Sequence, residues 1–163
     1  SIRLVGSEMC IRDRPMGSDL NTAAAPRFWV WATQDPTGTP LDRIQIIKGW
    51  VENGEQRQRV WDVVCSNGRK PNESGKCPAT TASVDLSSCQ RTGGEGAREL
   101  EVTFSDPDFS AEYPAFYYAR VLENPTCRWT TVLANSGNTE LPDDVPAIVQ
   151  ERGWSSPIWS ASR

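Results

Sequence analysis

From Pro26 onward, apolar and polar positions alternate in short runs separated by turn residues. Arg27-Phe28-Trp29-Val30-Trp31-Ala32-Thr33 is a strand with apolar groups on both faces, and Asp35-Pro36-Thr37-Gly38 turns the chain after it. The β-branched run Arg43 to Val51 predicts a second strand, and Gln58 to Val64 its return. Between them stands Asn53-Gly54, the dipeptide of a tight hairpin whose two central residues take positive φ. Leu100, Val102 and Phe104 alternate with Glu99, Glu101 and Thr103, so the first set points inward and the second to water. Phe116 to Leu122 is apolar on both faces and predicts a central strand. Cys127 to Val132, Ile148 to Gln150 and Ser156 to Trp159 predict further short strands, and Pro157 places the last of them at an edge or a bulge. Residues 134–144 read as loop, and no stretch carries a helical stripe. The expected fold is all-β: an antiparallel β-sandwich, Ig-like or jelly-roll-like, spanning residues 15–163 as a single domain.

Residues 1–14 stand outside that pattern. Ser7 to Arg14 resembles the conceptual translation of a sequencing adaptor, so residues 1–14 are read as a non-native or disordered leader and the rest as part of a larger protein.

Composition narrows the function. The chain has 163 residues, enough for one domain with a sizeable core, and a net charge of −4, which disfavours nucleic acid as a partner. No apolar run is long enough to span a membrane. There is no histidine, which removes the usual general base and the commonest zinc ligand. No catalytic, cofactor or metal residue is therefore assigned in this chain. Asp106, Asp108 and Glu112 lack the spacing and turn glycine of a calcium loop and read as a solvated turn. Gly93-Gly94-Glu95-Gly96 lacks the lysine of a phosphate loop.

Apart from Cys10, the cysteines are Cys65, Cys77, Cys89 and Cys127. They contain no C-x-x-C pair, and disulfides are the better reading, which points to a periplasmic or extracellular setting. Three connectivities are possible for four cysteines. Cys65 and Cys77 bracket one turn-rich loop, which favours Cys65–Cys77 with Cys89–Cys127.

Arg120 interrupts an apolar strand and predicts a buried ion pair, with Glu151 preferred and Glu123 or Asp62 as alternatives. The seven tryptophans suit core packing or a sugar-stacking platform. A lone sandwich has one interior, so either the Trp29/Trp31 face or the Phe28/Val30 face is expected at a covered surface, with Trp159 in the same patch.

Pro15 to Leu20, Leu41 to Trp50, Ser105-Asp106-Pro107-Asp108-Phe109, Ala115 to Pro125 and Gln150 to Trp159 resemble, in that order, the bacterial family catalogued as domain of unknown function 3604. The resemblance covers nearly all of residues 15–159. It implies large, often exported proteins in which a histidine-rich, metal-dependent domain of the polymerase-and-histidinol-phosphatase type precedes a β-sandwich. This chain resembles the sandwich, and the divalent-metal ligands that the family implies would fall upstream of it. The expected role is a non-catalytic sandwich that packs on and shapes that hydrolase domain. The alternative is an exported module binding carbohydrate or another small molecule.

Overall fold

The computed structural model describes residues 2–7 and 14–160. In chain order the elements are β1 (Ile2–Ser7), β2 (Arg14–Pro15), β3 (Asp19–Leu20), β4 (Arg27–Thr33), β5 (Leu41–Glu52), β6 (Glu55–Cys65), β7 (Ser83–Val84), β8 (Arg91–Thr92), β9 (Glu99–Ser105), β10 (Ala115–Glu123), β11 (Thr126–Cys127), α1 (Trp129–Gly137), β12 (Ile148–Val149), β13 (Arg152–Trp154) and β14 (Ile158–Ser160). A four-stranded sheet runs β2-β1-β4-β9. A six-stranded sheet runs β3-β14-β10-β5-β6, with β13 also on β10. The all-β sandwich expected from the sequence is the fold, with one short helix added.

The pleat decides what fills the space between the sheets. On β4, Phe28, Val30 and Ala32 are buried while Trp29 and Trp31 face the other way. On β10, Ala115, Tyr117, Ala119 and Val121 face the core. They meet Ile44 and Ile46 of β5 and Ile158 of β14. Aromatic pairs join the layers: Phe28 lies 4.7 Å from Tyr117 and Trp61 5.2 Å from Phe104, ring centre to ring centre. The β5–β6 hairpin turns on Asn53 and Gly54 at φ 54° and 80°, the positive values that Asn-Gly tolerates.

Three expectations need correction. Residues 1–14 were expected to stay out of the sandwich, yet Ile2–Ser7 pairs along β4 from Ile2 opposite Ala32 to Ser7 opposite Arg27. The run occupies a β4 edge that would otherwise present unpaired backbone. Residues 8–13, with Cys10, lie outside the described residues. The strand expected from Cys127 to Val132 is only Thr126–Cys127, and α1 follows, closed by Asn138 in the left-handed conformation. The helix was illegible because it is short and leaves Trp129, Val132 and Leu133 exposed, so it shows no buried stripe. The last strand is not a free edge, because β3 pairs with it in parallel. Pro157 takes the other of its two expected places, a bulge: it sits in the break between β13 and β14, where the register on β10 slips by one residue. Finally, Asp106 is buried rather than solvated.

Candidate functional site: the outer face of the six-stranded sheet

The side of β10 that turns away from the core carries Phe116, Tyr118 and Arg120. Beside them stand Ile47, Gly49 and Val51 of β5, Gln56 and Gln58 of β6, and Trp159 of β14. Gly49 makes the arrangement possible. A Cβ on it would come within 2.3 Å of the Phe116 ring, so the ring occupies space that only bare backbone leaves open. Phe116 stacks nearly parallel to Tyr118 at 6.3 Å, and Trp159 tilts against it at 5.3 Å. The rings and the neighbouring β6 side chains border an open groove of about 750 Å3. Trp159, Val51 and Trp154 are 51%, 52% and 58% exposed. Large apolar groups this exposed on one sheet mark a surface suited to a partner. Gly49→Val is expected to push Phe116 off the sheet and destabilise the domain by about 1–3 kcal/mol, the usual range for overpacking. Urea unfolding with the change in Trp159 fluorescence measures both.

The residues singled out from the sequence separate. Trp29 and Trp31 lie on the outer face of the four-stranded sheet, half-buried, and Trp29 Nε1 donates to Glu101 Oε1 at 2.6 Å. Trp159 belongs to the opposite sheet, so the three tryptophans form no common patch. Trp154 escaped notice although it pairs across from Arg120 on the exposed face. Its signal was the alternation Arg152-Gly153-Trp154.

Arg120 makes no ion pair among the described residues. Its Nε donates to Gln45 Oε1 at 2.7 Å, and Glu151 is exposed. The pleat explains the correction: Arg120 stands on the outer face directly across from Gln45, half-exposed, and needs no buried carboxylate. Glu123 instead accepts from Thr39 N and Oγ1, both at 3.0 Å. Asp62 accepts from Gln45 Nε2 at 2.5 Å and from Cys77 N at 2.8 Å. Nearby, Asp42 holds Arg69 at 2.5 Å and pairs with Arg43. These bonds fasten the 66–81 loop over one end of the sheet.

The loop is also covalently closed. Cys65 is bonded to Cys77 and Cys89 to Cys127. Two disulfides suit an oxidising compartment.

Inside the sandwich lies a polar constellation that the sequence did not reveal. Lys48 points into the core from β5, where its Nζ donates to Asp106 Oδ2 at 2.6 Å and to the Asp108 carbonyl at 2.9 Å. The Tyr117 hydroxyl donates to the same Oδ2 at 2.8 Å, and Asp108 N donates to Oδ1 at 2.8 Å. Burial and the adjacent Asp106 carboxylate push the Tyr117 hydroxyl far up, so it stays a donor. The rings of Trp50 and Tyr117 flank the ammonium at 4.9 and 5.8 Å.

Among the described residues no cluster of histidine, cysteine, aspartate or glutamate could hold a metal ion. Among the same residues no helix is long and apolar enough to cross a membrane. Fold and face together define a disulfide-stapled β-sandwich with an exposed aromatic sheet face. The chain belongs to the DUF3604 family of proteins of unknown function, whose model matches residues 6–162. No curated protein and no solved structure matches it.

Proposed function

We propose that this domain is the non-catalytic β-sandwich of a larger periplasmic or extracellular protein. Through the outer face of its six-stranded sheet it packs on a histidine-rich, metal-dependent hydrolase domain of the same protein and shapes the rim of that domain's cleft. The divalent metal belongs to the partner domain. One observation carries the reading: Trp154, Trp159 and Val51 stand more than half exposed on one sheet face, and Trp159 and Val51 border a groove that the sandwich does not fill. Intramolecular domain interfaces bury such surfaces. The absence of histidine agrees with chemistry located elsewhere.

The test uses the full chain and a separately produced histidine-rich domain of a DUF3604 protein. The wild-type chain is expected to bind it, and the double change Trp154→Ser with Trp159→Ser to weaken binding at least tenfold while leaving thermal unfolding nearly unchanged. The same double change should reduce self-association of the isolated chain in sedimentation. Equal binding by both chains would overturn the assignment of this face. Tryptophan quenching by oligosaccharides, without domain binding, would favour the alternative that Phe116, Tyr118 and Trp159 form a sugar-stacking platform.

A further inference from the structure

We propose that Lys48 and Asp106 condense to an intramolecular amide that covalently ties β5 to the end of β9, and so one sheet to the other. Lys48 lies in the six-stranded sheet and Asp106 directly follows β9 of the four-stranded sheet, and the two side chains meet in the interior, 6% and 0% exposed. Every contact of the Asp106 carboxyl fits acyl transfer. Lys48 Nζ, the nucleophile, is 2.6 Å from Oδ2. Asp108 N–H, 2.8 Å from Oδ1, is placed to hold the negative charge that develops there. The Tyr117 hydroxyl donates to Oδ2, the oxygen that leaves. The Asp108 carbonyl accepts from Nζ at 2.9 Å and orients the amine.

The step is redox-neutral and needs no co-reactant. A proton passes from Nζ to Oδ2 along their hydrogen bond, which leaves a neutral amine beside a neutral acid. The nitrogen lone pair adds to Cγ, and the carbonyl electron pair moves to Oδ1. That pair then returns as the Cγ–Oδ2 bond breaks. Oδ2 takes a second proton from the nitrogen and departs as water. An ammonium and a carboxylate become one amide and one water. Two features favour the reaction here over the same pair in solution. The strands hold the reactants in contact, and intramolecular placement of this kind reaches effective concentrations on the order of 10⁵ M or more. The product also removes two charges from an interior that solvates them poorly.

Intact-mass measurement of the full chain, reduced and denatured, tests the bond. The expected mass is one water below that of the sequence. Tryptic digestion should release a branched species in which residues 44–57, uncleaved at Lys48, are joined to residues 99–120. Lys48→Arg and Asp106→Ala should each restore the full mass. Tyr117→Phe, which keeps the ring in the core, should lower the cross-linked fraction. A wild-type chain of unmodified mass that is cleaved at Lys48 and yields residues 44–48, 49–57 and 99–120 as separate peptides after prolonged incubation of the folded protein would overturn the proposal, and that readout does not depend on whether any variant folds.

Discussion

Asp106→Ala is expected to destabilise the domain by about 3–5 kcal/mol, the usual penalty for stranding one partner of a buried ion pair. Asp106 is 3% exposed and accepts from Lys48, Tyr117 and its own turn, so its loss leaves a phenol without its acceptor and an ammonium without its counter-charge, held only by the Asp108 carbonyl, inside the sandwich. Lys48→Met should fall below wild type for the converse reason, since the carboxylate stays buried without its counter-charge. The double variant Lys48→Met with Asp106→Leu should lose clearly less than the two single changes added together, because no stranded charge remains. Equilibrium urea unfolding of the four proteins measures the coupling. Additive losses would show that the pair contributes packing only. Where an amide has formed, the single changes also remove a cross-link, and the figure is a lower bound.

Reduction of both disulfides is expected to unfold the chain or leave it marginal. Cys65–Cys77 closes a loop with a sequence separation of 12, worth about 3 kcal/mol in the chain-entropy account. Cys89–Cys127 spans 38 and is worth about 4 kcal/mol. Their sum rivals the total stability of a domain this size, on the order of 5–15 kcal/mol. Thermal unfolding followed with and without a thiol reductant should show a large drop in midpoint. Loss of Cys89–Cys127 alone should exceed loss of Cys65–Cys77, because the 66–81 loop keeps Arg69 on Asp42 and Cys77 N on Asp62 when its own bridge is gone. Equal thermal midpoints with and without reductant would contradict this account.

Most of the framework was legible because alternation and turn chemistry agree along β4, β5, β6, β9 and β10. Leu100, Val102 and Phe104 do face inward, and Asn53-Gly54 does make the hairpin. What escaped depends on contacts between distant segments. Lys48 sits in a run of β-branched residues and reads as the polar member of an alternation. Its inward direction follows only from the register that sets it opposite Tyr117. Asp106 looks like any turn aspartate until the end of β9 is placed over β5. Arg120 was assigned a carboxylate because a charge among apolar neighbours suggests burial, whereas the pleat puts it half in water beside Gln45. The tryptophans could be counted but not sorted, since the sheet that holds β14 is decided by its partner β10.

The β5–β6 pairing is the one long ladder among the described residues that joins neighbours in sequence; β4 pairs with β9 and β5 with β10. Chains built this way must close large loops before most contacts form, and domains dominated by such non-local pairing fold in milliseconds to seconds. The hairpin can zip early on its own turn, but its core-facing Ile44, Ile46 and Trp61 then wait for β10 and β9 to cover them. During that interval an apolar ribbon is open to water and to other chains, and an export route that delivers the chain unfolded would meet it before either disulfide has closed. Glu55, Arg57 and Arg59, which stand exposed at the outer margin of β6, place charge on the edge where a second ribbon would otherwise add.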